Sequence, residues 1–523
     1  MNCLVEMEDD AKMYNDIDME YVPEVPSGVM GFGDVGGRRY RKVYLCWLAF
    51  ALVLTLIVYR GTAGLGWERA IRIGTFFGIS LFFVHFFYVS SCRPVNYLAP
   101  DLLFTAAYTI FHFGYLVVWC FGVVPDVRKI FYAPSLYYRV LLIVNLGMVG
   151  FLMGYELPTG RRRFAEHFGV KKVPSPAWRI VGVVLMVLAL IIHFWFIFKV
   201  GVRTFLEEGY RVSSWMQDYV ADDRLWRLQP RIFMVGFSIY IVSVALEYKR
   251  LFYGKLGVSL FVLYLVLLFL EGGRTQLVTV GVVFILVRHY LIKPIKLKWL
   301  IACAIFSLFI FTALGAVRNI TSFDAARMAQ EYQHLRKAGE IHWYDPLVEM
   351  GGTVGTVNMT TSLVPSEESY WYGSSYISSI VHIIPYMQGL LGRYLSPGPS
   401  IWLTHTLFGT RAPGTGFSIS GEGYLNFGFP GAFLQMVVIG LLMRYIYIGF
   451  SSRLSPARCL VFIASLGIFV VSVRNHTNLI LAPLANIIVV AWLLKSLCGE
   501  REVLDDYEEP VLYEQEDMVE FNL

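Results

Sequence analysis

Four arginines of this chain stand where an apolar segment ends, or in the loop that joins two such segments. They are Arg274, Arg318, Arg393 and Arg474. A guanidinium stays charged at every physiological pH and binds phosphate oxygens through a planar fork of donors. Arginines grouped on one side of a protein are therefore suited to hold a phosphate or pyrophosphate ester. Each of them could instead reach a lipid headgroup or pair with a nearby carboxylate.

A glycine-rich segment, residues 414–428, contains one carboxylate and comes directly before an apolar run; its sequence is GTGFSISGEGYLNFG. Glycines allow tight turns and the close approach of a ligand. Glu422 in this segment would be partly desolvated, which suits a general base. The alternative, equally favoured by the sequence, is that Glu422 pairs with one of the arginines, and the two roles are compatible.

Two histidines lie near these groups. His405 comes shortly before the glycine-rich segment, and His476 shares a short turn with one of the arginines, so either could act as a base. The sequence favours a structural role over that of a base for each of them. His85, His112 and His193 fall inside apolar runs, where interhelical hydrogen bonding is the expected role. No cysteine or histidine spacing is typical of a zinc site, and the acidic pairs are isolated. The sequence therefore favours chemistry without a metal or other cofactor.

A membrane-embedded helical bundle must position these residues. The chain is 56% hydrophobic and 16% charged, with a mean hydropathy of +0.56, whereas soluble domains carry about 25% charged residues. About 20 apolar residues in a helix cross the hydrocarbon core. We predict twelve transmembrane helices, at Val43–Tyr59, Ile73–Ser91, Leu102–Val124, Leu136–Tyr155, Trp178–Phe198, Ile232–Leu246, Leu256–Leu270, Gln276–Val287, Trp299–Val317, Phe429–Tyr447, Cys459–Val473 and Leu479–Leu494.

Basic residues in the short loops orient these helices. The clusters at 38–42, 161–172, 249–255 and 288–298 all fall on one side, which the positive-inside rule makes cytoplasmic. The predicted fold is an all-α polytopic membrane protein with its working surface outside. Its parts are an acidic cytoplasmic tail (1–42), nine helices (43–317) with an external loop at 201–231, a large, partly helical external loop (318–424), three helices (425–494) and an acidic cytoplasmic tail (495–523).

Several of these motifs resemble those of the Wzy-type oligosaccharide repeat-unit polymerases, which build O-antigen and related bacterial polysaccharides. The resemblance covers roughly Ser135 to Leu494, and the large loop is its most specific part. It rests on Gly272-Gly273-Arg274, the helix ending in Arg318, Tyr372-Gly373-Ser374-Ser375-Tyr376 with Ile384-Pro385, Gly416-Phe417-Ser418 leading to Glu422, Tyr424-Leu425-Asn426-Phe427-Gly428, and Arg474 between two helices.

The resemblance implies a glycosyltransferase-C-like architecture in the bacterial inner membrane, with the active site facing the periplasm. Such enzymes transfer a growing glycan from undecaprenyl pyrophosphate to a hydroxyl of another lipid-linked repeat unit. The partners would be that lipid-linked oligosaccharide, membrane lipids, a chain-length regulator and a flippase, with no nucleic acid. The expected catalytic residues are Glu422, Arg274, Arg318, Arg474 and His476, and the expected substrate-binding residues are Arg393, Tyr424, Asn426, Tyr376 and His405.

Three alternatives remain open from the sequence. An O-antigen ligase would use the same kind of external arginines. A transporter or lipid flippase would be expected to show internal repeats and broken helices in both halves, and no repeat is visible here. A membrane-bound acyltransferase would need a catalytic histidine, for which His112 or His193 would be the candidate.

Overall fold

The computed structural model describes residues 35–62, 64–92, 96–124, 133–157, 170–202, 205, 224–271, 274–319, 330, 333–334, 342, 344–384, 387, 391, 394–409, 416–452 and 455–504. Within these ranges the chain is almost entirely helical. The helices are α1 (Val35–Thr62), α2 (Trp67–Cys92), α3 (Pro100–Cys120), α4 (Tyr137–Glu156), α5 (Pro176–Val200), α6 (Arg224–Tyr248), α7 (Lys255–Glu271), α8 (Arg274–Val287), α9 (Leu297–Asn319), α10 (Asp345–Gly351), α11 (Thr353–Leu363), α12 (Ser374–Val381), α13 (Pro399–Phe408), α14 (Ile419–Ser452), α15 (Pro456–Ser472) and α16 (Asn478–Cys498).

Each of the twelve predicted transmembrane segments coincides with one of these helices. Among the described residues, eight helices are long and apolar enough to cross a membrane: α1 to α6, α14 and α16. Shorter apolar helices occupy the other predicted segments, at Lys255–Leu270, Gln276–Ile292, Leu297–Ser307 and Pro456–Ser472. The prediction of a helical multi-pass membrane protein is confirmed at this level, and the number of twelve crossings stays a prediction.

Helix α4 is buried along most of its length and packs closely against α14. The contact is made of glycines: a Cβ on Gly150 would lie 2.5 Å from the carbonyl oxygen of Phe433, and one on Gly440 would meet the backbone of Phe151. Small residues let two helix backbones approach closely, which strengthens dispersion contacts inside a membrane. The pair α4–α14 therefore forms a rigid centre, and α14 carries the glycine-rich segment.

Helix α14 is broken near its start. Phe427 and Gly428 leave helical geometry, and Gly428 has φ 66° and ψ −151°, a region open essentially only to glycine. The short first part, 419–426, then packs back on the second part, since a Cβ on Gly423 would lie 2.5 Å from the carbonyl oxygen of Gly431. The hydropathy pattern predicted a helix only from Phe429, because a short helix rich in glycine and serine carries no apolar signal.

The large loop predicted at 318–424 contains helices α10 to α13 in its described part. Helix α11 is almost wholly buried and packs against α3 and α4. Its Asn358 accepts a hydrogen bond from the backbone N–H of Ala133 at 2.7 Å and donates one to the carbonyl of Ala133 at 2.9 Å. This region is therefore folded into the bundle, where α11 also packs against α14.

A two-stranded antiparallel sheet joins β1 (Val170–Pro174) to β2 (Glu500–Leu504), with Lys172 opposite Glu502. These ten residues are an exception in a structure that is otherwise consistent with the predicted all-α class. Both strands are short and charged, and their sequences VKKVP and EREVL lack a clean alternation that would have indicated a strand. The sheet puts the loop after α4 and the segment after α16 at the same end of the bundle.

Buried polar pairs hold α1, α2 and α3 together near that same end. The Tyr44 hydroxyl is 2.7 Å from Nδ1 of His85, and Nε2 of His85 is 3.3 Å from a carboxylate oxygen of Asp101. The His85 and Asp101 side chains are both fully buried. The interhelical role expected for this histidine is confirmed.

Candidate functional site

The carboxylate of Glu422 is the centre of a buried polar cluster at the start of α14. Oε1 accepts a hydrogen bond from Ser375 Oγ at 2.8 Å. Oε2 accepts from the backbone N–H of Thr477 at 2.6 Å, from Thr477 Oγ1 at 2.6 Å and from Gln435 Nε2 at 3.1 Å. Glu422 is fully buried. Four hydrogen bonds from neutral groups satisfy both oxygens, as a buried carboxylate requires. We call Glu422, Ser375, Gln435 and Thr477 the Glu422 cluster.

The cluster joins three separate parts of the chain. Ser375 comes from α12, Gln435 from the second part of α14, and Thr477 from the turn between α15 and α16. Ser375 lies 47 positions before Glu422 in the sequence, and Thr477 lies 55 positions after it. Helix packing brings these residues together. The site therefore exists only when these helices are assembled.

Asn426 ties the broken end of α14 to the same cluster. Its Nδ2 donates to Ser375 Oγ at 2.8 Å, and its Oδ1 accepts from the backbone N–H of Gly373 at 3.0 Å. The backbone N–H groups of Trp371 and Tyr372 donate to the carbonyls of Leu425 and Asn426. These carbonyls end a helical segment and need partners from elsewhere in the chain. The segment 371–375 supplies them, so its position is fixed relative to Glu422.

Tyr376 reaches the cluster through Gln435, whose Oε1 accepts a hydrogen bond from the tyrosine hydroxyl at 2.9 Å. Burial, together with the nearby Glu422 carboxylate, raises the pKa of Tyr376 above its usual range. Its hydroxyl therefore stays protonated and acts as a donor. The ring of Phe427 lies 6.3 Å from that of Tyr376, centre to centre, so an aromatic pair borders this side of the cluster.

The serines of the glycine-rich segment are anchored to α3. The hydroxyl of Ser420 is 2.9 Å from that of Tyr108, and the hydroxyl of Ser418 is 2.8 Å from Nε2 of His112. All four side chains are buried. His112 therefore has the interhelical hydrogen-bonding role expected from its position inside an apolar run. That role gives no support to the acyltransferase alternative.

Arg474 lies in the turn that follows α15, directly against the glycine-rich segment. The backbone N–H groups of Phe417 and Ile419 donate to the carbonyls of Arg474 and Val473. Nε of Arg474 is 3.2 Å from the position that a Cβ on Gly416 would take, and Gly416 has φ 72°. A glycine is required there both by the backbone conformation and by the arginine packed on it.

His476 follows in the same turn and is buried, with 7% of its surface exposed. Its Nδ1 has no hydrogen-bond partner among the described residues. Nε2 is 3.2 Å from where a Cβ on Gly398 would stand, so the segment before α13 closes over the ring. Burial, with a smaller contribution from nearby His382, lowers the pKa of His476 to about 4. The imidazole is therefore neutral at physiological pH.

The other predicted site residues are placed as follows. The ring of Tyr424 is 1% exposed and its hydroxyl donates to the carbonyl of Val364 at 3.2 Å, which is a packing position. His405 lies exposed in the last turn of α13. Arg393 lies outside the described residues, and for Arg274 and Arg318 only the helix backbone is described, at the start of α8 and near the end of α9.

Helix packing relates the start of α8 to the site. A Cβ on Gly467 of α15 would lie 3.3 Å from a side-chain carbon of Val283 and 3.7 Å from one of Thr279, both on α8. The rings of Tyr290, just after α8, and Phe462 in α15 lie 5.1 Å apart, so the two helices run antiparallel. From the contact at Gly467, α15 therefore continues towards Arg474 while α8 runs back to its first residue, Arg274. Both arginines therefore belong to the same end of the bundle.

In helix α12 polar side chains are buried and apolar side chains are exposed. Ser375, Ser378 and Ser379 are buried, whereas Ile377 and Ile380 are 60% and 55% exposed. A soluble helix would bury its isoleucines. The exposed isoleucines favour a position of this helix at the membrane surface.

Sequence reasoning missed Ser375, Gln435 and Thr477 as partners of Glu422. Their only local signal is a hydroxyl or amide inside an apolar or interfacial segment, which usually has an interhelical partner. Among the described residues, no group of three histidine, cysteine or acidic side chains could hold a metal ion.

The fold and this cluster define a multi-pass helical membrane protein with a polar site built into one end of its bundle. Comparison of the sequence with known proteins then places the chain. It belongs to the O-antigen polysaccharide polymerase Wzy family, which matches residues 44–501. The resemblance seen in the motifs is therefore confirmed.

The chain is also similar to Protein CapE of Staphylococcus aureus, with 27% identity over 217 residues. The match covers 39% of this chain and 43% of CapE, so it spans less than half of that relative. No solved structure matches the chain significantly.

Proposed function

We propose that this protein polymerises lipid-linked oligosaccharide repeat units on the outer face of the bacterial inner membrane. It transfers a growing glycan from undecaprenyl pyrophosphate to a hydroxyl of a second lipid-linked unit. Family membership supports the polymerase activity over the ligase and transporter alternatives. The observation that carries the proposal is the junction of the glycine-rich segment with the 473–477 turn, where Arg474 and His476 flank the Glu422 cluster.

In this reaction a bond forms between the acceptor oxygen and the anomeric carbon of the donor, and the bond from that carbon to pyrophosphate breaks. The acceptor hydroxyl loses a proton, and undecaprenyl pyrophosphate leaves with the electron pair. His476 is the proposed base, because its imidazole is neutral and Nδ1 has no hydrogen-bond partner among the described residues. The oxygens of Glu422, in contrast, already accept four hydrogen bonds.

The leaving pyrophosphate gathers negative charge, which positioned cations stabilise. Arg474 is the proposed contact, with Arg274, Arg318 and Arg393 completing the set. The packing of α8 on α15 supports Arg274, whose helix starts at the same end of the bundle. With arginines in this role the transfer needs no metal ion, and chelation should leave it intact.

Glu422 is the proposed positioning residue. Both of its oxygens are occupied by donors from Ser375, Gln435 and Thr477, which leaves the carboxylate little capacity to accept the proton of a substrate. The backbone N–H of Thr477 is among those donors, and Thr477 directly follows His476. The carboxylate therefore fixes the turn on which His476 and Arg474 stand. Tyr376 and Asn426 support the same arrangement through Gln435 and Ser375.

The proposed orientation places the Glu422 cluster and the loop 318–424 outside and both acidic tails inside, after twelve crossings. The basic short loops support it, and so does the β1–β2 sheet, which pairs two segments predicted to be cytoplasmic. A flippase that delivers repeat units and a regulator of chain length are the proposed protein partners.

Removal of the protein tests the reaction directly. If it is the polymerase, a single repeat unit on the lipid carrier should accumulate. Accumulation of long polymer on the carrier would instead identify a ligase. Purified protein mixed with lipid-linked repeat units alone should then produce polymer and free undecaprenyl pyrophosphate. Absence of polymer there, from protein of intact fold, would contradict the proposal.

A further inference from the structure

A groove opens between the second part of α14 and helices α15 and α16. It is a cavity of about 300 Å³, with Ile488 and Trp492 at its outer side, 46% and 64% exposed. Most of its wall is apolar. The lining residues are Ile446, Gly449, Phe450, Ala457, Arg458, Val461, Ile488, Ala491, Trp492 and Lys495.

The groove lies at the far end of α14 from the Glu422 cluster. From the break at Gly428 to Gly449 the helix rises about 30 Å, which equals the thickness of the hydrocarbon core. The strand β2 follows α16 directly at this end. The groove is therefore separate from the proposed polymerisation site, and it belongs to the opposite leaflet.

Two cations line this otherwise apolar cavity. Nη1 of Arg458 donates to the carbonyl of Gly449 at 3.2 Å, which holds the guanidinium beside the last turns of α14. Lys495 stands exposed in the last turn of α16. Glu500, a carboxylate near this end, accepts a hydrogen bond from the N–H of Ala457 at the start of α15. An apolar groove with two cations complements a molecule that has an acyl chain and an anionic head.

We propose that this groove binds an anionic phospholipid, with an acyl chain along the groove and the phosphate at Arg458 and Lys495. Basic pockets between membrane helices on the cytoplasmic side commonly take such headgroups. The bound lipid would brace the ends of α14, α15 and α16. The opposite ends of these three helices carry Glu422, Arg474 and the 473–477 turn. This proposal rests on the proposed orientation, which puts the groove on the cytoplasmic side, but not on the chemistry proposed for that turn.

The lining offers a variant that fills the groove. A Cβ on Gly449 would have no heavy atom within 4 Å, so the side chain of Gly449→Phe can leave the helix without a clash at its first atom. The double substitution R458Q and K495Q removes the cations and leaves the groove open. The matched control is R250Q with K255Q, two cations predicted on the same side of the membrane but outside the groove.

Delipidated protein in a neutral detergent should be titrated with phosphatidylglycerol or phosphatidylcholine, and bound lipid counted by native mass spectrometry. The expected result is retention of one phosphatidylglycerol by the wild type and the control. Its affinity should fall about tenfold or more in the double variant, since both charged contacts with the phosphate are lost. Gly449→Phe should lose the lipid as well. Equal binding of both lipids, or undiminished binding by the double variant, would overturn the proposal even if Gly449→Phe failed to fold.

Discussion

Glu422 and Thr477 meet through two hydrogen bonds to one oxygen. Oε2 of Glu422 accepts from both the backbone N–H and the hydroxyl of Thr477, each at 2.6 Å. A backbone contact fixes the position of a turn, and the second bond fixes its orientation. This one carboxylate therefore determines where the neighbouring His476 stands relative to α14.

Substitution of Glu422 should reduce polymerisation without abolishing it. Glu422→Gln puts an amide in place of an acceptor-only carboxylate, so at least one donor in the cluster loses its partner, at a cost of about 1.5–3 kcal/mol. We expect polymer formation by purified protein to fall about 10- to 100-fold. Thr477→Val should also reduce polymer formation, because it removes one of the same hydrogen bonds. The fold loss of the double variant should therefore be smaller than the product of the two single-variant losses.

The matched control is Glu156→Gln, which changes a carboxylate at the other end of the bundle, paired with Arg41 at 3.5 Å. Its rate should equal that of the wild type at matched protein levels. Complete loss of activity in Glu422→Gln, with an intact fold, would instead make Glu422 the base.

The pH dependence of polymerisation should report His476. Its pKa is lowered to about 4, so the imidazole is neutral above about pH 5 and becomes protonated as the pH falls through 4. The rate should therefore stay level between about pH 5 and 8 and decline only below that range. His476→Gln cannot take the proton, so it should slow transfer about 100-fold and remove this decline. A decline centred near pH 6.5, or normal activity of the variant, would exclude the proposed role.

Arg474 should need its planar fork as well as its charge. Arg474→Lys keeps the charge but cannot bind two phosphate oxygens in the same geometry, so we expect a loss of about 10- to 100-fold. Gly416→Ala should impair activity too, because its added methyl strains the backbone and presses on Arg474. Arg501→Lys in strand β2 serves as the control and should have no effect. A fully active Arg474→Lys protein would argue against the bidentate contact.

The exposed face of α12 should contact lipid. A fluorophore on a cysteine at Ile380 should be quenched by brominated acyl chains in reconstituted bilayers, because this side chain is 55% exposed beside a buried row of serines. The same probe at Ser366, an exposed residue following α11, should not be quenched. Absence of quenching at position 380 would show that α12 does not lie at the membrane.

The orientation predicts which residues are accessible from outside the cell. In a background without other reactive thiols, a cysteine at Ser366 should react with an impermeant thiol reagent in spheroplasts. A cysteine at Ser496, exposed near the end of α16, should react only after the membrane is opened. The reverse pattern of labelling would invert the proposed topology and move the Glu422 cluster to the cytoplasmic side.

The sequence by itself determined the helices that form the bundle. Inside a membrane every backbone N–H and C=O must be satisfied within its own segment, so an apolar run of sufficient length becomes a helix whatever surrounds it. Hence all twelve predicted segments coincide with helices, with boundaries displaced by several residues, as in α6, which begins at Arg224 instead of Ile232. The sequence also indicated the glycine-rich segment and the arginine–histidine turn as places for chemistry, because polar groups are costly at such positions.

Only the tertiary structure decided what these groups do together. Ser375, Gln435 and Thr477 meet Glu422 because α12, α14 and the turn after α15 pack at one end of the bundle. Packing of that kind depends on which glycines let which backbones approach, as at Gly150 and Gly440. The break at Gly428 and the β1–β2 sheet arise in the same way. The spacing of apolar residues within one segment cannot predict such contacts, because the partners are separated by tens or hundreds of residues. Hydropathy indicates only which segments lie in an apolar environment.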